Sequence, residues 1–219
     1  MEKILQEIVR VIKNTDKRII IGISGHGASG KTTFVNDLEK LLGHKNVNTI
    51  NTDPYIIGST IRKHTFLDYE YKNENHHYKM TACHPDAHNL SALERDIHMI
   101  RDGLDFYSLG LNHMSSMLIS SQNKVNIVEG MSVAFINPNL FNLKIYLYTG
   151  GDTELSRRGI RDVTERGTHI NSLIQSHEER RIQYDLFMHP THTNFDIVIK
   201  NSNEEFTLMK NELPSFFKI

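Results

Sequence analysis

Residues Gly25-His26-Gly27-Ala28-Ser29-Gly30-Lys31-Thr32 spell G-x-x-x-x-G-K-T, and no other stretch of the chain narrows its possible folds as much. A loop of this pattern works only between a strand and a helix. Both flanks supply what it needs. Arg18 to Ser24 carries Ile19, Ile20, Ile21 and Ile23, a β-branched run suited to a strand buried on both faces. Downstream, Phe34, Val35, Leu38, Leu41 and Leu42 recur at helical spacing, and Gly43 stands where a left-handed helix stop falls. In such a loop successive backbone N–H groups point at a β-phosphate, glycines permit close approach, and the helix N-terminus adds a favourable dipole. Gly25, Gly27, Ala28, Ser29, Gly30, Lys31, Thr32 and Thr33 are thus the candidate nucleotide-phosphate site. Lys31 reaches the β/γ-phosphates and the Thr32 hydroxyl a Mg²⁺ ion. An ordinary strand–helix unit with a glycine-rich turn is the competing reading, but it leaves the Lys-Thr pair unexplained.

A chain of 219 residues suffices for one α/β domain with a large core, so residues 1–219 are expected to form a single unit. With 25 basic and 26 acidic residues the net charge is -1, which offers no global attraction to nucleic acid or to an anionic membrane. The single cysteine, Cys83, excludes an internal disulfide and suits a reducing compartment. Acids interrupt the N-terminal apolar residues at once, unlike a signal peptide, and no apolar run reaches about eighteen residues. A soluble, cytoplasmic protein is the expectation, with a homo-oligomer left open.

Ile4, Leu5, Ile8, Val9 and Ile12 form a stripe that predicts an amphipathic helix over the first fourteen residues. Val47 to Thr52 alternates like a strand and ends at Asp53-Pro54-Tyr55. From Ile56 to about Pro85 periodicity fades while aromatics, histidines and charges accumulate, as in a lid or binding region. Ser91-Ala92-Leu93-Glu94 reads as a capping box opening a helix that stops near Gly103. Asp105 to Gln122 predicts strands or a hairpin. Lys124–Gly130, Leu143–Tyr148 and Phe195–Ile199 read as further strands, and Asp152 to about Tyr184 as arginine-dense helix. Strands alternating with helices imply a doubly wound, mostly parallel sheet flanked by helices, with ligands at the carboxyl ends of its strands. Gly25, Asp53 and Glu129 all lie just past such ends.

Phosphoryl transfer requires positioning, a metal, neutralised charge and a group that orients the attacking oxygen. Asp53 at a strand tip can accept a proton from an acceptor hydroxyl or order it against Mg²⁺; as a bland alternative, Asp-Pro simply starts a turn. Glu129 follows an apolar strand as a metal-holding acid would, its alternative being a surface acid at a loop start. Arg157, Arg158 and Arg161 fall within about one helical turn, 157 and 161 on one face. Such a cluster clamps a transferring phosphoryl group, or else forms surface pairs of little consequence. His84 and His88 carry no Cys partners or carboxylate triad at ligand spacing; His88 reads as an ordinary surface residue.

These motifs resemble the uridine kinase and phosphoribulokinase-like kinases, over most of the chain from Ile21 to Ile199. Ile23 to Thr33 is similar to that family's phosphate loop. Thr52-Asp53-Pro54-Tyr55 is similar to its Asp-x-Tyr segment, and His84-Pro85-Asp86-Ala87 to a His-Pro-Asp-Ala motif typical of uridine kinases. Val128-Glu129-Gly130 matches its Glu-Gly segment, Leu155 to Gly167 its arginine-bearing lid, and Asn194 to Ile199 the strand that closes its core. The resemblance implies a P-loop NTPase fold with an acceptor-binding insertion at about 54–88 and a lid at about 152–184. It implies an ATP-dependent, Mg²⁺-assisted kinase with Asp53 as base beside Lys31, Arg161 and Arg166. ATP contacts then include Arg157, and Thr32, Glu129 and Asp53 surround the metal. Tyr55, His84, Asp86 and Tyr107 would bind a small-molecule acceptor, for which a uridine- or cytidine-like nucleoside leads. A non-nucleoside acceptor such as pantothenate, glycerate or a pentose phosphate, or a non-catalytic ATP-binding regulator, are the alternatives. Departures gather on the acceptor side. Ala82-Cys83 stand where uridine kinases commonly carry Phe-Asp, whose Asp holds ribose hydroxyls; Thr168 replaces a basic residue of the lid; and Asp105-Phe106-Tyr107 with His113 is a loose counterpart of the pyrimidine-reading segment.

Overall fold

The computed structural model describes residues 1–111, 114–164, 170–203 and 205–214. From the N-terminus the chain runs through α1 (Glu2–Lys13), β1 (Ile19–Ser24), α2 (Lys31–Leu42), β2 (Val47–Asn51) and the short α3 (Ser59–Arg62). A hairpin of β3 (Phe66–Tyr71) and β4 (Glu74–Lys79) leads to α4 (Leu90–Arg101), then to the pair β5 (Phe106–Tyr107) and β6 (Leu118–Ile119). β7 (Val125–Glu129), β8 (Leu143–Tyr148), α5 (Gly151–Thr164), α6 (Ile170–Gln183), β9 (Ile197–Ser202) and β10 (Glu205–Asn211) follow.

Six strands make one sheet in the order β10-β9-β8-β1-β7-β2. All neighbours pair in parallel except β10, which returns antiparallel along β9 as an edge. Period-two side chains split the core between the two faces. Ile19, Ile21 and Ile23 of β1, with Ile127 and Ile145, pack against Ile8 and Ile12 of α1 and Phe34 and Leu38 of α2. Ile20, Val128 and Tyr146 pack on the opposite side against Leu93 and Ile97 of α4, Phe141 and Tyr184. Parallel strands buried on both faces are apolar throughout, and all six residues of β1 are buried.

Register decides what meets at the carboxyl edge. Ile23 lies beside Glu129 and Glu129 beside Asn51, so the ends of β1, β7 and β2 are level. The Gly130 N–H donates to the Ile23 carbonyl (3.0 Å) and the Thr52 N–H to the Glu129 carbonyl (2.8 Å), which carries the pairing into the loops. Asp53, Glu129 and the phosphate loop emerge side by side.

Two local expectations change. The helix read from a Ser91 capping box begins at Leu90, capped by Asn89, whose Oδ1 accepts the Ala92 N–H at 3.4 Å. Asn is as good a cap as Ser, and placing it at 89 lets the Asn89 N–H reach the Tyr55 carbonyl at 2.7 Å. The stretch from 56 to 85 is not irregular: it holds α3 and a six-pair antiparallel hairpin. On β3, Leu67, Tyr69 and Tyr71 are half-buried and alternate with exposed Asp68 and Glu70, but β4 answers with only His76 and Tyr78, so the strand pattern is weak in the sequence. β10 has no expectation behind it at all, its sequence being exposed along nearly its whole length. Among the described residues no helix is long and apolar enough to cross a membrane.

Gly25 stands at φ +141°, and a Cβ there would come within 1.8 Å of the Leu147 carbonyl oxygen on β8. Backbone cannot yield to such a contact. Gly25→Ala is expected to destabilise the protein by roughly 2–5 kcal/mol, from backbone strain plus overpacking. Urea denaturation checks this, and a midpoint equal to wild type would show that the loop entry tolerates a side chain.

Candidate active site

Ser24 ends β1 with its hydroxyl donating to the Gly130 carbonyl at 3.2 Å, so the phosphate loop starts pinned to the neighbouring strand end. Within the loop Ala28 takes a left-handed conformation at φ 63° and Gly30 caps α2 at φ 95°. A side chain at Gly30 would strike Asn201 Nδ2, which lies 2.3 Å from where its Cβ would sit. That amide donates to the Ser29 carbonyl at 3.0 Å and fixes the turn. The Ser29 hydroxyl is buried without a hydrogen-bond partner. Lys31 Nζ donates back to the His26 carbonyl at 3.0 Å and lies 3.9 Å from Glu129.

A cavity of about 930 Å³ opens over this loop. Gly27, Ala28, Gly30, Lys31, Thr32 and Thr33 line it from one side, Asp53 and Glu129 from the strand ends, and Arg157 from α5. Asp53 and the Thr32 hydroxyl side are exposed, whereas Glu129 is 5% exposed. Burial raises the Glu129 carboxyl above its ordinary range, Lys31 opposes that shift, and Asp53 adds to it. A cation held between Glu129, Asp53 and Thr32 would relieve the same repulsion, so this oxygen set fits a hard divalent ion. Asn51, a residue the sequence pattern does not single out, links the two acids: its Oδ1 accepts the Asp53 N–H at 2.8 Å and its Nδ2 approaches Glu129 at 3.5 Å. The only sequence signal for it is a polar side chain at a strand tip. Arg157 donates to the Ala28 carbonyl at 3.3 Å and to Asn201 at 3.2 and 3.1 Å, so it is moored to the loop rather than loose in solvent.

Other expected site residues sit elsewhere. Tyr55 is 1% exposed, and its hydroxyl donates to the buried Asp96. Burial and then that hydrogen bond to an acid raise the phenol far above its ordinary range. It holds the strand-tip loop to α4 and does not line the cavity. His84 stacks edge-on against Phe187, and its Nδ1 accepts the Asp86 N–H at 3.2 Å. The Asp86 carboxylate faces solvent. Tyr107 is exposed on β5, and neither it, His84 nor Asp86 lines the cavity. Arg166 and the side chain of Arg161 lie outside the described residues, as do His113 and Thr168. Gly25 and Ser29 are buried beneath the loop.

His88 is not a surface residue. It is 7% exposed, with Nε2–H donating to the Ala82 carbonyl at 2.9 Å and Nδ1 facing the Ser132 hydroxyl at 2.8 Å. Burial pushes its pKa down to about 4, so it is neutral and braces the wall on which Ala82 meets the cavity. Nothing in the local pattern distinguishes it from an exposed histidine.

Behind the loop lies Glu154, 1% exposed. Arg181 approaches it at 3.0 Å, His26 Nδ1 at 3.4 Å, Arg180 at 3.8 Å and Arg158 at 3.9 Å. Burial by itself would raise its carboxyl; the His26 hydrogen bond and the arginine charges prevail and hold it well below the usual carboxylate range. His26 Nε2 accepts the Thr149 N–H at 3.0 Å, which makes the ring neutral with its proton on Nδ1. Burial lowers its pKa in the same sense.

Residues 20–207 match the Phosphoribulokinase / Uridine kinase family. The chain is 32% identical over 220 residues to a uridine kinase of Macrococcus caseolyticus, covering 93% of this chain and 99% of that protein. It is 29% identical over 194 residues to "Uridine kinase-like protein 5" of Arabidopsis thaliana, covering 84% of this chain but spanning only 39% of that longer protein. Its fold is similar to phosphoribulokinase from Rhodobacter spheroides, with a TM-score of 0.60 at 15% identity over 85% of this chain and 71% of that one.

Because the folded Glu154 carboxyl sits below its unfolded value of about 4.3, its contribution is fully present above that pH and is lost as pH falls toward the folded pKa. Glu154→Gln is expected to cost about 3–5 kcal/mol at pH 7, since it strands buried cations. Urea midpoints taken between about pH 5 and pH 3 should fall less steeply in the variant than in wild type. Parallel curves would remove Glu154 from the acid limb.

Proposed function

Since the chain belongs to the Phosphoribulokinase / Uridine kinase family and is a phosphotransferase acting on a hydroxyl group, we propose that it transfers the γ-phosphoryl group of ATP to an alcohol of a small metabolite held beside Asp53. One observation carries this reading: Lys31, Thr32, Asp53, Glu129 and Arg157 surround a single cavity. The loop amides and Lys31 hold the β- and γ-phosphates. Mg²⁺ at Thr32, Glu129 and Asp53 would neutralise charge on the phosphates.

Asp53 is exposed to the cavity and free to meet an acceptor hydroxyl, from which it takes the proton as the oxygen attacks. Asn51 orients it through the backbone N–H and keeps Glu129 close by. Arg157 neutralises the donor phosphates from the α5 side. Residues 54–88 form the acceptor wall and residues 152–184 the covering lid in this reading.

Uridine and cytidine are the first acceptors to test, because relatives over the same length carry the name uridine kinase. A non-nucleoside alcohol is the second reading, favoured by Ala82 on the cavity wall and Cys83 buried beside it, which supply neither an aromatic face nor a carboxylate for a ribose.

ADP release measured over nucleosides, pantothenate, glycerate and pentose phosphates tests the reaction. No turnover on that panel with tight ATP binding retained would favour a non-catalytic nucleotide-binding role. Lys31→Ala should abolish ATP use. Asp53→Asn should leave ATP binding intact while lowering kcat by on the order of 10²-fold or more, the general-base range; an unchanged kcat would remove Asp53 from proton transfer.

A further inference from the structure

A trans peptide sets its carbonyl and its N–H in opposite directions, so a group that draws one carbonyl of the phosphate loop inward turns the next residue's N–H outward. His26 acts on one such peptide. Its Nδ1–H donates to the Gly27 carbonyl at 2.8 Å. The ring is 1% exposed and lies beneath the loop, outside the set of residues that line the cavity, whereas Gly27 and Ala28 both line it. The Gly27 carbonyl is thus turned away from the cavity and the Ala28 N–H towards it. That N–H has no hydrogen-bond partner among the described residues.

The local backbone works against this setting. Ala28 stands at φ 63°, a left-handed conformation that glycine adopts freely and alanine does not. Rotating the Gly27–Ala28 peptide would bring that φ back to the negative side and relieve the strain, but it would present the Gly27 carbonyl to the cavity. A carbonyl dipole aimed at a phosphate repels what the N–H attracts. The ring that opposes the flip is itself fixed on three sides. Its Nε2 accepts the Thr149 N–H at 3.0 Å from the end of β8, its Nδ1 lies 3.4 Å from Glu154 of α5, and Tyr184, just past α6, packs edge-on with ring centroids 4.6 Å apart. Because Nε2 is committed as an acceptor, the single proton of the neutral ring stays on Nδ1, where the Gly27 carbonyl meets it. The next two carbonyls have other holders: Arg157 reaches that of Ala28 at 3.3 Å and Asn201 that of Ser29 at 3.0 Å. Among the described side chains, His26 alone reaches the Gly27 carbonyl.

Resting on the nucleotide-binding reading above, we propose that His26 is a positioning residue for the phosphate donor: held by Thr149 and Glu154, it keeps the Gly27–Ala28 peptide turned so that the Ala28 N–H meets the β-phosphate. The ring touches neither nucleotide nor acceptor and works through the backbone alone. Its effect is therefore confined to ligands that place a phosphate over this part of the loop.

ADP and AMP, titrated by calorimetry with Mg²⁺ present, test this, since they differ by the β-phosphate alone. Two polar variants separate the two bonds of the ring. Asn places an amide N–H where Nδ1–H stood, and Gln carries its amide to the Nε2 end. His26→Gln should weaken ADP by roughly ten- to hundredfold, the range of a hydrogen bond to a charged group, and leave AMP within about threefold. His26→Asn should keep ADP within about threefold of wild type, the range of one neutral hydrogen bond. His26→Leu, which removes both bonds, should match His26→Gln, so the result does not hang on one substitution. Thermal melting of all three variants is read alongside. An ADP loss equal in His26→Asn and His26→Gln, no loss in His26→Gln, or losses that follow the melting temperature and fall equally on ADP and AMP would overturn the role of His26 and leave the kinase standing. The expected pattern of ADP binding, with no ADP release from ATP on any acceptor of the panel, would overturn the kinase and leave His26 in place. Wild-type protein that binds ADP no more tightly than AMP would overturn both.

Discussion

A carboxylate removed almost wholly from water costs several kcal/mol unless cations and hydrogen-bond donors surround it, and Glu154 meets that condition from three directions at once. His26 reaches it from the phosphate loop, Arg158 from its own helix, and Arg180 and Arg181 from α6. The loop is remote in the chain from the two consecutive helices, yet none of the three can separate without stranding buried charge. The glycine-rich loop and the helix that brings Arg180 to the cavity are therefore one electrostatic unit. The neutral His26 ring extends it further, because its other nitrogen takes the Thr149 N–H at the end of β8.

At the strand tips, geometry follows from backbone. Parallel pairing sets the ends of β1, β7 and β2 level, and the loops that follow present Lys31, Glu129 and Asp53 to a common space. Only short-range devices are then needed. Asn51 spans the two acids, and Asn201 buttresses Gly30 while holding Arg157. Where Ile56, Arg62 and Ala82 line the cavity, the wall is built from side chains of unrelated segments. Ala82 is presented by His88, α3 by Arg62, and the hairpin is tied to α6 through Tyr69 and His76 on Glu179. Arg62 brings a positive charge to it, while Arg180 reaches the cavity at Gly27 of the loop.

Much of this architecture was legible beforehand because it rests on local rules. The α1 stripe, the β-branched β1, and the acids at strand ends are periodicity and position, and the core uses them as the pattern implies. Misreadings fell where partners are distant. Tyr55 looks like a residue of the site because it follows Asp53 by two positions, yet Asp96 on α4 draws its hydroxyl into the core. His88 looks like a surface histidine until Ala82 and Ser132 close around it. The hairpin of β3 and β4 carries only half a signal, because Leu67, Tyr69 and Tyr71 alternate with acids on β3 while β4 has only His76 and Tyr78 to match them. Arg62 and Arg180 lie 118 positions apart in different helices, and no spacing rule joins them.

By itself the sequence determined that a strand, a glycine-rich loop and a helix would follow one another, and that acids would stand at neighbouring strand tips. Those are consequences of φ freedom, hydrophobic period and backbone donors, all written within a few residues of one another. Only the tertiary structure decided which charges are compensated. Glu154 gathers four partners, Asp53 and Glu129 share Asn51, and Arg62 and Arg180 line the same cavity as those two acids. Coulomb interactions act through space and sharpen as water is excluded, so the balance of charge in the cavity exists only once the chain has closed around it.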